Sequence, residues 1–398
     1  MKKILFVATV GVHFRFFYLP YFELFTKSGW EVSSVCSGSS ALPNCDNIFE
    51  ISIARSPLSF RNIAAYRQLK EIINNNKFDI IHCNNPVGGV LARIASRTVR
   101  KQGTKVIYTA HGFHFFMGAP IRNWLIYYPI EYFMSKITDC LITINHEDYS
   151  IAKRYFKARE IVHVHGIGYD NKKFSKPSTE KRNEQRQKNG YSDSDILLVY
   201  VAELNKNKNQ KRLIQALEII CTKNKNVRLL LIGHDGLNGK NQRLSKKLGL
   251  ENKVDFLGMR ADVEDLLPMC DIAVASSIRE GLPVNVMEAL ACGIPVVVFD
   301  NRGHRELVKN DKNGYLIKLN DKNEFAQRVL EIIENEELYQ SLSKNAIKNV
   351  VPYSRDQVIV EMQSVYEKVI NIKTDAYCKP SNEIETLGKV TLNCLEKC

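Results

Sequence analysis

The stretch from Asp271 to Asp300 reads DIAVASSIREGLPVNVMEALACGIPVVVFD and changes its periodicity twice. Its two ends, DIAVASS and IPVVVFD, are short apolar runs rich in β-branched residues, which is typical of buried strands. The middle, GLPVNVMEALACG, has the pattern of a helix, and Pro283 suits its first turn. A strand, a helix and a second strand in this order predict parallel strands, because a parallel pair needs a long, usually helical connection.

The same alternation of strand-like and helix-like segments runs through most of the 398 residues. One polar connector interrupts it at 177–195, which reads PSTEKRNEQRQKNGYSDSD. A chain of this length is too long for one ordinary core. The alternation itself is typical of a parallel sheet with helices on both faces. We therefore predict an α/β protein with two doubly wound, Rossmann-like domains that face each other across a cleft.

The connector sets the predicted domain borders. We expect an N-terminal domain over 1–175, a C-terminal domain over 176–352, and a helix over 353–372 that packs back toward the N-terminal domain. The tail over 373–398 has no clear periodicity, so its structure is left open. The N-terminal run ILFVATV is interpreted as a first strand, because it is short for a signal peptide and lacks a clean cleavage site.

Cysteine usage and hydropathy indicate a cytosolic protein. The ten cysteines include no C-x-x-C pair, so we expect reduced, mostly buried thiols. No segment after the first strand offers the ~18 uncharged apolar residues of a membrane span.

Positive charge is concentrated in the first half of the chain. Residues 1–178 contain 23 Lys and Arg against 12 Asp and Glu, whereas residues 179–398 contain 33 against 31. The stretch RIASRTVRKQGTK includes Arg93, Arg97, Arg100, Lys101 and Lys105 and no acid. Such a surplus suits an anionic partner, either a nucleic acid or an anionic membrane surface, although a solvated helix face would look the same.

Two carboxylates flank the start of the helix in the opening stretch. Glu280 lies in the loop that follows a strand, where ligands of α/β sheets bind, and Glu288 lies one to two turns into the helix. Backbone N–H groups at Val284, Asn285 and Val286 would be free to bind phosphate between them. Phosphate with a polyol on either side is the outline of a nucleotide sugar. An alternative of equal weight is that the helix dipole simply favours nearby acids.

The longer motif SSIREGLPVNVMEALACGIPVVVFDNRGHRELV resembles the retaining glycosyltransferases of the GT4 family, which have the GT-B fold. YTAHGFHFFMGAP and VAELNKNKNQ are similar to a bacterial subgroup that makes capsule, exopolysaccharide and lipid-linked oligosaccharides. The resemblance implies that Glu280 contacts the donor sugar and Glu288 the ribose. It also places the loop residues Gly281, Leu282, Pro283 and Val284 at the donor.

The resemblance assigns the donor diphosphate to Lys208, which matches the lysine of the family stretch G-R-L-x-x-x-K-G. A lysine there would neutralise the departing diphosphate. The arginine of that stretch is absent, since Glu203 takes its place, and either Lys206 or Arg212 could substitute for it. A solvated lysine in an Asn- and Lys-rich turn is the alternative.

Several histidines follow predicted strands. The resemblance places His111 near the reaction centre, with His114 close by. Gly11 and His13 follow the first strand, where only one glycine of the family's usual pair is present to let the backbone approach phosphate. His82 either lines the acceptor side or is a satisfied core histidine.

Two further loops give less specific signals. The loop after FLG is near the base in relatives, so Met259 and Arg260 are candidates for uracil contacts. No G-x-G-x-x-G follows a strand, and the D-x-D at Asp193 to Asp195 is discounted as chance, so we expect no cofactor and no metal.

The combined hypothesis is a retaining transfer of a sugar, taken to be an N-acetylhexosamine, from a UDP-sugar to a lipid-linked acceptor in bacterial surface polysaccharide synthesis. The resemblance implies front-face attack without a protein nucleophile. Aromatic residues within 93–136 suggest peripheral binding to an anionic membrane at the inner face of the cell membrane. A UDP-N-acetylglucosamine 2-epimerase of the same architecture is the alternative. Nucleic-acid binding ranks last, because no RNA or DNA motif is present.

Overall fold

The protein divides into two compact units. The computed structural model describes residues 1–38, 41–54, 56–57 and 59–371, so the predicted tail at 373–398 lies outside the described residues. Of the described residues, the N-terminal unit contains those of Met1–Gly166 together with Ile359–Asn371, and the C-terminal unit contains Ile167–Val358. The residues just after Gly166 belong to the C-terminal unit because Tyr169 exchanges backbone hydrogen bonds with Tyr353 and Arg355 there.

The N-terminal unit has a seven-stranded sheet in the order β3-β2-β1-β4-β5-β6-β7, in which every pairing is parallel. Its strands are β1 (Lys3–Val10), β2 (Glu31–Ser37), β3 (Asn47–Glu50), β4 (Ile80–Asn84), β5 (Lys105–Ala110), β6 (Cys140–Thr143) and β7 (Glu160–His163). Its helices before the border are α1 (Gly11–Phe17), α2 (Leu19–Lys27), α3 (Arg61–Asn76), α4 (Pro86–Ala95), α5 (Arg97–Lys101), α6 (Ile121–Ser135) and α7 (His146–Tyr155).

The C-terminal unit has a six-stranded parallel sheet in the order β10-β9-β8-β11-β12-β13. Its strands are β8 (Ile196–Val201), β9 (Val227–Ile232), β10 (Val254–Gly258), β11 (Ile272–Ala275), β12 (Val296–Phe299) and β13 (Gly314–Ile317). Its helices are α8 (Thr179–Lys188), α9 (Lys211–Lys223), α10 (Lys240–Lys247), α11 (Val263–Leu266), α12 (Val284–Ala291), α13 (Arg302–Leu307), α14 (Lys322–Glu334) and α15 (Glu336–Val350). Short 3₁₀ turns lie at Leu267–Met269 and Val351–Tyr353, and α16 (Arg355–Asn371) follows the second turn.

Both sheets are covered on both faces, which confirms the predicted doubly wound architecture. Consecutive residues Ile4, Leu5, Phe6 and Val7 of β1 are fully buried, although neighbouring side chains of a strand point to opposite faces. The strand order reverses direction between β1 and β4 and again between β8 and β11. The carboxyl ends of these strands therefore mark the place in each unit where ligands of such sheets bind.

The connector at 177–195 is more ordered than its composition suggests. Ser178 caps α8 by accepting a hydrogen bond from the N–H of Lys181. Arg186, on the same helix, is 1% exposed and binds Asp271 at the start of β11. A polar stretch thus forms a helix because one of its arginines is anchored by a carboxylate of the sheet.

The basic stretch at 93–105 is not the charged surface that the sequence predicted. Arg93 is buried, with its guanidinium 3.8 Å above the Tyr108 ring and 2.9 Å from Glu131, and Arg100 forms a two-point pair with Asp139. Lys105 is also buried. Arg97 and Lys101 are exposed. Internal carboxylates therefore pair with two of the five basic side chains that were expected to face an anionic partner.

Candidate active site

Two loops meet at the carboxyl edge of the C-terminal sheet, where the strand order reverses. One follows β8 and the other follows β11. The N–H of Ile278 donates to the carbonyl of Asn207 at 2.8 Å, and the Asn207 side chain donates to the carbonyl of Arg279 at 3.0 Å. Ser276 Oγ donates to the carbonyl of Lys208 at 2.7 Å. These bonds fix the two loops to each other before any ligand is bound.

The same two loops carry an ion pair between two of the predicted site residues. Lys208 Nζ lies 2.6 Å from Glu280 Oε1, and the two side chains are 23% and 14% exposed. The sequence predicted that the lysine holds a phosphate and the carboxylate a sugar hydroxyl. In this structure each is the partner of the other, so a donor that used both would have to take over their hydrogen bonds.

The backbone around Glu280 is supported from behind by α13. Arg302 Nε donates to the carbonyl of Glu280 at 3.0 Å. A Cβ added to Gly303 would lie 2.7 Å from Glu280 Cβ and 3.1 Å from both Gly281 O and Pro283 Cδ. Only glycine fits at position 303 while the Glu280 loop keeps this position.

The start of α12 differs in detail from the prediction. Pro283 is the N-cap residue and not the first helical residue, and it has extended dihedral angles. The N–H of Val286 is not free, because it donates to the carbonyl of Pro283 at 3.2 Å. Among the described residues, the N–H groups of Val284 and Asn285 have no acceptor. The helix therefore presents two amides, together with its positive dipole end, to an anion.

Glu288 lies in the second turn of α12, and its side chain makes no hydrogen bond or ion pair to the described part of the chain. Burial raises the pKa of its carboxyl to about 8, while the positive charge of Arg355 opposes that rise. Arg355 itself is paired with Asp170 at 2.7 Å. A carboxyl that keeps its proton near neutral pH can donate as well as accept, which suits a ribose diol.

Lys206 and Arg212, the two candidates to replace the absent arginine of the family stretch, differ in their surroundings. Arg212 hydrogen-bonds the carbonyl of Leu319 and lies 5.8 Å from the Phe299 ring centroid. Lys206 is exposed and forms no ion pair within the described residues. Lys206 is therefore available to a ligand, whereas Arg212 is engaged in packing.

The predicted base-contacting loop lies away from the Lys208–Glu280 pair. It follows β10, and β9 and β8 intervene between this edge strand and β11. Arg260 forms a two-point pair with Asp262 at 2.7 and 2.6 Å, and Met259 is 79% exposed. That this loop contacts uracil stays a prediction.

In the N-terminal unit, three predicted residues meet at the carboxyl edge of the sheet. Gly11 begins α1 directly after β1, and the ring centroids of His13 and His111 are 5.0 Å apart. Burial lowers the pKa of His13 to about 4 and that of His111 well below its ordinary value. Both imidazoles are therefore neutral at physiological pH. His13 Nε2 is buried without a hydrogen-bond partner in the described chain.

The other two predicted histidines have side-chain partners of their own. His82 is fully buried, and both of its ring nitrogens have partners, Tyr366 at 2.7 Å and Thr109 at 2.8 Å. His82 is thus a core histidine with both ring nitrogens hydrogen-bonded, which was one of the two interpretations that the sequence allowed. The His114 ring stacks on Tyr127 at 4.5 Å.

Sequence reasoning missed several polar residues that position the site. Tyr200 and Ser277 share a buried hydrogen bond of 2.6 Å, and Asn301 caps α13 while donating to the carbonyl of Ser277 at 2.9 Å. The available signal was the run Ser276-Ser277 at the end of an apolar strand. Polar residues at that place are typical of a ligand-binding edge.

Family models match both units. The model described as "Glycosyl transferase 4-like" matches residues 3–145, and that described as "Glycosyl transferases group 1" matches residues 181–349. The chain is 45% identical over 374 residues to the putative glycosyltransferase EpsD of Bacillus subtilis, covering 94% of this chain and 98% of that protein. It is 27% identical over 345 residues to an Escherichia coli protein named UDP-Gal:alpha-D-GlcNAc-diphosphoundecaprenol alpha-1,3-galactosyltransferase, covering 84% and 87% of the two chains.

Solved structures share the whole fold. Anabaena Alr3699/HepE, crystallised with UDP and glucose, superposes with a TM-score of 0.75 at 19% identity, over 92% of this chain and 100% of that one. WaaG, described as a glycosyltransferase involved in lipopolysaccharide biosynthesis, superposes with a TM-score of 0.70 at 17% identity, over 94% and 100% of the chains. At these identities the likeness shows the GT-B fold and nothing finer.

Proposed function

Because this chain belongs to the GT4 family of glycosyltransferases and has the GT-B fold, we propose that it transfers a sugar from a UDP-sugar to a lipid-linked acceptor in bacterial surface polysaccharide synthesis. The anomeric configuration would be retained, and N-acetylhexosamine is the sugar that we favour. The E. coli relative, whose name includes a UDP-sugar and a diphosphoundecaprenol acceptor, supports this choice of substrate classes.

One observation carries the proposal: the Lys208–Glu280 pair lies at the strand-order reversal of the C-terminal sheet, beside the free amides of α12. A cation and helix amides suit a diphosphate, and the carboxylate suits the hydroxyls of the attached sugar. No other arrangement of charges in the described part of this unit combines these three features at the ligand-binding edge.

Each residue of the site would have a distinct role in binding the donor. The amides of Val284 and Asn285 and the Lys208 ammonium would bind the diphosphate and stabilise the charge that develops as it departs. Glu280, released from Lys208, would orient the sugar, and Glu288 would bind the ribose. The protein would contribute positioning and electrostatic stabilisation, while the departing diphosphate helps to remove the acceptor proton.

A transfer assay with Glu280 variants tests this function. Purified protein would be incubated with a panel of UDP-sugars and a lipid diphosphate acceptor. Glu280→Ala and Glu280→Gln should reduce transfer by roughly 100-fold or more, because a group that orients the reacting sugar is lost. Glu331→Gln, which removes a surface pair with Arg328 in the same unit, is the matched control and should transfer normally.

Near-normal transfer by both Glu280 variants, with native circular dichroism, would refute the assignment. A parallel incubation with donor alone separates the alternative: isomerised sugar nucleotide in the absence of acceptor would identify an epimerase. Proton NMR of the product linkage would decide whether the anomeric configuration is retained.

An anionic membrane surface is the further partner that we propose, and α6 is the surface that supports it. Its outward face exposes Ile121, Leu125, Ile126, Ile130 and Phe133, at 57%, 59%, 53%, 38% and 49%. The only acid of α6 is buried, and exposed cations lie at Arg122 and Lys136, near its two ends. Apolar side chains flanked by cations suit a helix lying in the interface of an anionic bilayer. Among the described residues, no helix is both long enough and apolar enough to cross a bilayer.

A further inference from the structure

A chain of buried hydrogen bonds runs beneath the carboxyl edge of the N-terminal sheet. It begins on α16, where Tyr366 Oη lies 2.7 Å from His82 Nδ1. His82 Nε2 lies 2.8 Å from Thr109 Oγ1 on β5. The Thr109 side chain also acts on the Tyr18 phenol, where it opposes the rise in pKa that burial causes, which is the effect of a hydroxyl that donates to the phenol oxygen. All four side chains are at most 4% exposed, so water does not compete for these bonds.

The chain ends at His111. The Tyr18 hydroxyl donates to Asn84 Oδ1 at the end of β4, and its oxygen lies 3.4 Å from His111 Nε2. Tyr18 is 2% exposed and Asn84 is fully buried. Tyr18 therefore joins the core network to the histidine at the candidate ligand-binding edge.

The direction of every bond follows from Asn84. Its Oδ1 can only accept, so the single proton of the Tyr18 hydroxyl is used there. The Tyr18 oxygen can then only accept from its other neighbours. His111 Nε2 must therefore carry a proton and donate it to Tyr18, and Thr109 must donate its proton to Tyr18 as well.

The same logic fixes the far end of the network. With its proton directed at Tyr18, the Thr109 oxygen accepts from His82 Nε2, and His82 Nδ1 accepts from the Tyr366 hydroxyl. Burial keeps both histidines neutral, because it lowers the pKa of His82 to about 3 and that of His111 well below its ordinary value. A neutral imidazole has one N–H, so His111 Nδ1 bears a lone pair.

We propose that Tyr18 and Asn84 are positioning residues that hold His111 as the Nε2–H tautomer and so present its Nδ1 as an acceptor to a hydroxyl of a sugar substrate. The tautomer follows from the hydrogen bonds of the N-terminal unit alone, whereas the role of Nδ1 rests on the proposed function. Within the described residues His111 makes no hydrogen bond other than that to Tyr18, so Nδ1 is available.

Nitrogen-15 NMR of the full-length, histidine-labelled protein tests the tautomer without any substrate. His111 is assigned by the signal that disappears in His111→Gln. We expect the wild type to show protonated Nε2 and unprotonated Nδ1, and Tyr18→Phe to shift both signals toward a mixture of tautomers. A wild-type protein with Nδ1–H, or unchanged signals in Tyr18→Phe, would overturn the proposal.

Transfer kinetics test the functional part with variants that differ by one hydroxyl. Thr109→Val keeps the side-chain shape but loses the donor to Tyr18, and we expect kcat/KM to fall about tenfold, the effect of losing one orienting hydrogen bond. Thr109→Ser keeps a hydroxyl and should retain most of the wild-type kcat/KM. Tyr66→Phe changes a tyrosine of α3 outside the network and should have the wild-type kcat/KM. Equal rates for Thr109→Val and Thr109→Ser would contradict the positioning role. If the wild type shows the expected tautomer but transfers no sugar, the proposed function fails while the tautomer assignment holds.

Discussion

At the scale of single residues, the ion pair between Lys208 and Glu280 would have to open for a donor to bind as proposed. Glu280 and Lys208 neutralise each other at 2.6 Å, which lowers the cost of keeping two partly buried charges in the free protein. Glu288 avoids the same cost in a different way, by keeping its proton, because burial raises its pKa to about 8. The two acids that look equivalent in the sequence therefore differ in charge near neutral pH.

Glu288 should make the stability of the protein depend on pH. Its pKa is raised from 4.5 to about 8, so between these values the folded protein keeps a proton that the unfolded chain has released. Stability then falls as the pH rises through this window. Glu288→Gln removes the titration, and it should match the wild type near pH 5 and exceed it by at least about 1 kcal/mol near pH 9.

Urea unfolding followed by circular dichroism at the two pH values measures this difference. Glu331→Gln serves as the control for removing a surface carboxylate and should show the same free energy of unfolding as the wild type at both. If the advantage of Glu288→Gln were equal at the two pH values, the carboxyl would be ionised throughout and the assigned environment would be wrong.

At the scale of elements, α6 and the α4–α5 segment differ in how well they suit the predicted membrane surface. The arginines of α4 and α5 were expected to face the membrane, but two of the three are tied to Glu131 and Asp139 inside the unit. The aromatic part of 93–136, which includes α6, was expected to contribute as well, and one face of that helix exposes apolar side chains. The proposed membrane binding would therefore depend on α6, with electrostatic help from the exposed cations.

Vesicle co-sedimentation separates the two surfaces. Leu125→Asp combined with Ile126→Asp should weaken binding to phosphatidylglycerol-containing vesicles at least tenfold, because two apolar side chains would no longer leave water. Arg97→Glu should have a smaller effect, about fivefold, that disappears at high salt.

Val360→Asp is the matched control, since Val360 is 60% exposed on α16, outside the proposed surface. It should bind vesicles as the wild type does. Unchanged sedimentation of the doubly substituted α6 variant would show that this helix does not bind the membrane.

The sequence predicted the buried strands better than the exposed edge strand, for a physical reason. The predicted strand ILFVATV forms β1, and the predicted strands DIAVASS and IPVVVFD contain β11 and β12. β3 lies at the edge of its sheet and none of its four residues is buried, so no apolar run marks it, and α1 follows β1 without a break.

The site residues also differ in whether the sequence around them carries a signal. Glu280, Glu288 and Lys208 could be predicted because each belongs to a local sequence motif. Tyr18 and Asn84 were missed because they are 66 positions apart and meet only when two strands pair. Buried polar partners of this kind leave no periodic signal in the sequence, so a three-dimensional structure is needed to identify them.

At the scale of the whole molecule, both sheets reverse their strand order once, which gives each unit one candidate ligand-binding edge. The C-terminal edge carries the cation, the carboxylates and the free helix amides, and the N-terminal edge carries the neutral histidines. This division fits a transferase that binds an anionic donor on one unit and needs uncharged hydrogen-bonding groups on the other. The fold class was predictable because one strand–helix–strand stretch fixes a parallel sheet, and the rest of the chain repeats it.

The most direct test of the account is a crystal structure of the full chain with a bound UDP-sugar. We predict that the diphosphate lies within hydrogen-bonding distance of the Val284 and Asn285 amides, that Lys208 has moved from Glu280 to a phosphate oxygen, and that Glu288 contacts the ribose. A donor bound elsewhere, with the Lys208–Glu280 pair intact, would contradict the central claim.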